Sequence, residues 1–153
     1  MEAIYSKIKD MLKAYYPVLY LTSYEYDRTK QKIEGIVNIL RSENKNVRLF
    51  NWNCVDGLRL IEGVTQFLVK NRDGEEIVEP EETLKYILND RESSKDIFVL
   101  EDFNNYIEEE NVKFYIRSIA EKARHTNSHA IVLSAVYLSL IHISEPTRRT
   151  PIS

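Results

Sequence analysis

Hydrophobic positions recur along this chain in two rhythms, one helical and one of strand length. Over residues 2–15, Ile4, Ile8, Met11, Leu12 and Tyr15 fall at helical spacing with charges between them, predicting an amphipathic helix stopped before Pro17. VLYLT (Val18 to Thr22) follows without a polar interruption, the pattern of a strand covered on both faces. Thr22 and Glu25 have capping-box spacing, and Ile33, Ile36, Val37 and Leu40 carry a helix to about Asn44. VRLFNW (Val47 to Trp52) reads as the next strand. The segments LRLIEGVTQFLVK and EEIV, around a turn NRDG ending at Gly74, predict a hairpin excursion at about 58–78. Pro80 opens a helix bearing Leu84, Ile87 and Leu88, and IFVLE (Ile97 to Glu101) is again a buried-type strand. Val112, Tyr115, Ile116, Ile119, Ala120 and Ala123 form the apolar face of a further helix, and AIVLSAVY (Ala130 to Tyr137) closes the series as a strand.

Strands separated by helices of this length need crossover connections, so the expected fold is a three-layer α/β domain over residues 1–137. Its sheet is mainly parallel, with helices on both faces. From Leu138 both rhythms stop, and residues 138–153 are expected to be a non-native or disordered tail. Within it LSLIHISEPTR (Leu138 to Arg148) resembles a translated sequencing-library adapter, which implies a truncated reading frame.

The chain has 153 residues, 43% of them hydrophobic, enough for one domain with a real core. Its 21 basic and 24 acidic residues leave a net charge of -3, which gives no electrostatic footing for nucleic acid or an anionic membrane. The single Cys54 forms no internal disulfide. No apolar run approaches the roughly 18 residues a membrane span needs, and the charged N-terminus lacks a secretory apolar region. The expected location is therefore cytoplasmic.

Ligands of open α/β sheets bind at the carboxyl ends of the strands. There IFVLEDF places Glu101 and Asp102 after a hydrophobic strand, the form of a Walker B element. Equally, these two acids suit the solvated start of the next turn. A phosphate loop would need consecutive glycine-rich backbone N–H groups and a lysine. SYEYDRTK after the first strand supplies Lys30 but no glycine, and Gly35, Gly57, Gly63 and Gly74 stand isolated elsewhere. Thr22, Arg28, Lys30, Glu101 and Asp102 are thus weak nucleotide-site candidates, and no residue is assigned as catalytic or metal-binding. A phosphoacceptor role for Asp102 lacks a tight acidic pair, since Glu25 and Asp27 are wrongly spaced. His125 and His129 have i,i+4 spacing but fall in a turn without a third ligand. Cys54, at a strand end without a nearby histidine base, reads as a small buried side chain. Ten tyrosines without a cationic groove read as half-buried rings with wet hydroxyls.

Several segments together resemble one family. They are AYYPVLYLTSYEYDR with its T-x-Y-E-x-x-R pattern (Thr22, Tyr24, Glu25, Arg28), VRLFNWNCVDGL with Trp52 and Gly57, the strand-plus-DF element at Asp102 and Phe103, and HAIVLSAVY. This wording is similar to the N-terminal domain of bacterial and plastid-encoded AAA-family ATPases. Paired arginines of the long helix are reduced here to Arg117 and Arg124.

The resemblance implies a degenerate P-loop-like α/β domain serving recognition or regulation without catalysis. ATP and magnesium would belong to a downstream AAA module, with no cofactor in this stretch. Partners would be that module, other subunits of a ring and a protein substrate, with neither membrane nor nucleic acid among them. The competing expectation is a small stand-alone nucleotide-binding protein or enzyme using Glu101 and Asp102 at the sheet edge.

Overall fold

A computed structural model describes residues 6, 8–10, 18–43, 46–89, 95–122 and 128–135, with the side chains of 128, 129 and 131–135 left aside. The strands are β1 (Val18–Ser23), β2 (Val47–Asn53), β3 (Gly57–Glu62), β4 (Thr65–Leu68), β5 (Lys95–Glu101) and β6 (Ser128–Ala135). The helices are α1 (Tyr26–Ser42), α2 (Pro80–Leu88) and α3 (Glu110–Lys122), with a 3₁₀ turn at Phe103–Tyr106. Residues 6 and 8–10 are helical. The expected helix 2–15 is described only there. Ala123, His125, Tyr137 and the tail 138–153 lie outside the described residues.

The sheet runs β1-β6-β5-β2-β3-β4. β1, β6, β5 and β2 are mutually parallel, whereas β3 and β4 add as antiparallel neighbours on the far side of β2. After β1 the chain crosses the width of two strands to reach β2, then steps back one position to β5 and one more to β6. Right-handed crossovers that travel in opposite directions must lie on opposite faces. The core divides accordingly. On one face Ile33, Ile36, Val37 and Leu40 of α1, with Ile8, pack on Leu21, Val47, Leu49, Ile97 and Val99. On the other, Leu84 and Ile87 of α2 and Val112 and Ile119 of α3 pack on Phe50, Trp52, Leu58, Phe98 and Leu100. Strand alternation sends Ile97 and Val99 to the first face and Phe98 and Leu100 to the second, which is why IFVL carries no polar position. The fold is thus the expected three-layer α/β sandwich with a largely parallel sheet, compatible with a P-loop-like architecture.

Four local expectations are corrected. Thr22 does not cap α1, because β1 continues through it, paired with Ser134, to Ser23. The cap position is Glu25, without a side-chain cap bond, and Ser23 Oγ instead accepts the Glu25 N–H at 3.1 Å. The hairpin turns at Gly63-Val64 rather than at NRDG; Gly63, with φ 62°, occupies the first loop position, as a type II′ turn requires. NRDG forms a separate tight loop in which Asn71 Oδ1 accepts the N–H groups of Asp73 and Glu75, both at 2.9 Å. Cys54 is exposed, not buried, because Asn53 Oδ1 gathers the N–H groups of Val55 and Asp56 into a solvent-facing turn. Ala120 is exposed, so the packed face of α3 is narrower than its apolar pattern.

Candidate functional site

The carboxyl ends of β1, β5 and β2 bring several of the candidate residues together. Each arrives by a different route. Glu101 is the last residue of β5, so its side chain stands at the sheet edge on the α1 face, in the alternation begun by Ile97 and Val99. Lys30 lies one helical turn beyond Tyr26 at the start of α1 and reaches Glu101 Oε2 at 3.2 Å. Asn51, on the same face of neighbouring β2, donates its amide to that same oxygen at 2.6 Å. The pair is partly enclosed, with the Glu101 side chain 13% and that of Lys30 31% exposed.

Asp102 takes the left-handed conformation, φ 58° and ψ 22°, which turns the chain sharply from β5 into the 3₁₀ segment. It is the one non-glycine residue with positive φ among the described residues. Its carboxylate accepts the Tyr26 hydroxyl at 2.5 Å. Between these contacts, the β1–α1 link is only Tyr24 and Glu25. It is closed by a buried Ser23–Thr29 hydroxyl pair at 2.7 Å and by the Thr29 N–H donating to Glu25 O at 3.1 Å.

Of the sequence candidates, then, Lys30 and Glu101 meet directly, and Asp102 sits beside them on Tyr26. Thr22 and Arg28 do not join this cluster among the described residues. Thr22 is exposed in β1, and Arg28 pairs with Glu25 at 3.2 Å across a well-solvated surface. Asn51 and Tyr26 were missed by sequence reading. Asn51 had a signal, as the one polar residue inside the apolar run LFNW; Tyr26 had none beyond opening the helix. The backbone of His129 belongs to β6, whereas His125 is outside the described residues. Among the described residues no group of three metal-ligating side chains forms.

Two clefts flank the cluster. One, of about 480 Å³, lies over the start of α1 and is lined by Glu25, Tyr26, Asp27, Arg28 and Gln31. Two carboxylates against one guanidinium make it a poor phosphate seat. The other, of about 340 Å³, runs beside α1 from Lys30 and Asn51 over Ile33, Leu49, Val99 and Ile61 toward Gly63 and Val64. On the opposite side of the edge Tyr106 has its phenol pKa pushed up, first by burial and then by a hydrogen bond with Cys54.

ATP and magnesium do not fit this edge as built. A phosphate needs free, convergent N–H groups and an available ammonium. Here the link holds no glycine, the Glu25 N–H is used by Ser23, and Lys30 is held by Glu101.

The family model for the SpoVK-like AAA ATPase N-terminal domain matches residues 4–140 of the chain. The chain belongs to that family. A relative, the uncharacterized AAA domain-containing protein ycf46 of Pyropia yezoensis, is 24% identical over 124 residues. Those residues are 81% of this chain but 23% of the relative, so the chain spans about a quarter of the curated relative's length. The expected kinship with AAA N-terminal domains therefore holds. The Lys30–Glu101–Asn51 cluster lies within the matched stretch. No helix among the described residues is long and apolar enough to cross a membrane.

Proposed function

We propose that this SpoVK-like N-terminal domain is a non-catalytic recognition or regulatory element of a cytoplasmic AAA ATPase. ATP and magnesium are handled by a module elsewhere in the parent protein, which assembles with further subunits and acts on a protein substrate. The observation that carries this reading is the closed state of the β1–α1 link: Lys30, the first lysine after β1, is neutralised by Glu101 at 3.2 Å. Drawing Lys30 to a phosphate would leave the Glu101 carboxylate, 13% exposed, with the Asn51 amide but without its ammonium, a cost that opposes binding.

Calorimetric titration of the chain with magnesium and ATP tests it, with Asp102→Asn and Glu101→Gln alongside. Absence of heat in all three supports an accessory role. Micromolar binding that disappears in Asp102→Asn would replace it with the stand-alone nucleotide-binding reading.

A further inference from the structure

At the carboxyl edge of the sheet one side-chain bond runs from the core on one face to the core on the other. Tyr26, the first residue of α1, packs against the first core, and its hydroxyl donates to Asp102 Oδ1 at 2.5 Å. Asp102 directly precedes Phe103, which is fully buried in the second core. Alternation along β5 would send residue 102 to the second face with Phe98 and Leu100, yet its carboxylate meets a residue of the first. The left-handed backbone at Asp102, φ 58°, goes with that reversal. Such angles are costly for a residue with a Cβ, least so for Asp and Asn, and persist where the surroundings hold them. They set the seat of a four-residue segment. The Asn105 N–H donates to Asp102 O at 3.1 Å, and the rings of Phe103 and Tyr106 stand 5.2 and 6.0 Å from that of Trp52. The other end of the bond needs support as well. α1 starts two residues after β1, Glu25 gives it no side-chain cap, and its first turn closes through the Thr29 N–H on Glu25 O at 3.1 Å.

We propose that Tyr26 and Asp102 form a releasable latch that couples the first turn of α1 to the 3₁₀ segment around the sheet edge. Closed, it holds Asp102 in its left-handed conformation and the first turn of α1 against the end of β5. Open, it lets both loosen while the two cores stay folded. A hydroxyl on an ionised carboxylate makes a charge-assisted bond, strong enough to bias both ends. The bond is also solvent-exposed, so it breaks without unfolding, and a ligand or partner that takes the carboxylate competes for it directly. Lys30, bound to Glu101 at 3.2 Å one turn further along α1, limits how far the helix moves when the latch opens. Coupling is reciprocal, so each end steadies the other by the same factor. The latch is a regulatory route within the domain and is independent of whether the sheet edge binds nucleotide.

Native-state amide exchange of this chain, followed residue by residue by NMR, tests it. Asn105 reports on the 3₁₀ segment and Thr29 on α1, while Thr83, whose N–H donates to Glu79 O at 3.0 Å in the first turn of α2, is the control. Tyr26→Phe should speed exchange at both Asn105 and Thr29 by about fivefold, the worth of one such bond, and leave Thr83 alone. Asp102→Gly should do the same at Thr29, on the other face of the sheet, because glycine keeps the turn but offers no acceptor. Adding Tyr26→Phe to Asp102→Gly should then change neither rate further. Asp102→Asn, which tolerates the left-handed angles and keeps an acceptor oxygen, should hold Thr29 within about twofold of the unaltered chain. The proposal is overturned if Tyr26→Phe leaves Asn105 unchanged, if Asp102→Gly leaves Thr29 unchanged, or if Thr83 accelerates as much as either, which would mark general destabilisation in place of a latch. It is overturned too if the effects of the two substitutions simply add.

Discussion

Arg48 and Asp96 show how much one buried charge asks of its surroundings. Asp96 is fully buried at the amino end of β5, and Arg48, from the neighbouring β2, grips both its oxygens at 2.6 and 2.8 Å while lying 5.1 Å from the Phe50 ring centre. Replacing Arg48 by methionine keeps the stem's packing but takes the guanidinium from the carboxylate. About 3 kcal/mol should be lost, read as a lower urea midpoint with unchanged slope. Lys30→Met at the opposite sheet edge should cost less, about 1 kcal/mol, because that pair is partly solvated. Tyr106 adds a pH dependence at the alkaline end. Burial raises its phenol pKa above the ordinary 10.0, so above that pH the unfolded chain loses the proton first and the folded state falls in stability as pH rises. Below it this group contributes no slope. Tyr106→Phe should flatten the decline in urea midpoint above about pH 10, and an unchanged slope would show that other tyrosines set it.

Among the elements, the strands were the most legible and the turns the least, for one physical reason. A strand buried on both faces has little tolerance for polar residues, so IFVL announces itself by composition, whereas VLYLT reads alike although β1 lies at the sheet edge and leaves Tyr20 and Thr22 exposed, against the expected cover on both faces. A turn is decided by a few backbone angles that different sequences can supply. Gly63 and Gly74 both take positive φ, and sequence pattern favoured NRDG for the hairpin although Gly63 makes it. The start of α1 was misread similarly: Thr22 has the right spacing for a cap, but pairing with β6 holds it in the strand and passes the local hydrogen bond to Ser23. At the sheet edge Lys30, Glu101 and Asp102 could be placed together from topology, whereas Asn51 and Tyr26 required the register between β2, β5 and α1. Two glycines make the turn argument testable. At Gly57, φ is 74° and an added Cβ would lie 2.8 Å from Ile77 O, the same oxygen that accepts the Leu58 N–H. At Gly63 the φ is similar but nothing stands within 4 Å. Gly63→Ala should therefore cost about 1 kcal/mol, from backbone conformation alone, and Gly57→Ala about 2–3 kcal/mol, since strain and a backbone clash add. Equal costs in thermal unfolding would mean that the β2–β3 turn relaxes away from Ile77.

At the scale of the whole molecule, two cores share one sheet, and the question is whether they unfold as one. Ile97 and Val99 belong to the α1 side and Phe98 and Leu100 to the α2–α3 side. No backbone movement of β5 can release one pair without disturbing the other. β2 is constrained in the same way, through Leu49 on one side and Phe50 and Trp52 on the other. The central strands thus couple the layers mechanically, which favours a single cooperative transition. Trp52 is the only tryptophan, fully buried among Phe103 and Tyr106 on the second face, and its indole N–H donates to Val78 O at 3.0 Å. It reports on one core only. Ile33, 1% exposed in α1, belongs to the other. Ile33→Ala should destabilise by about 3 kcal/mol, the range for deleting a buried aliphatic side chain. If the sheet couples the layers, Trp52 fluorescence and far-ultraviolet circular dichroism will shift together by the same amount in that variant, although Ile33 does not touch the indole. If helix signal is lost first while Trp52 stays quenched and buried, the α1 layer unfolds separately.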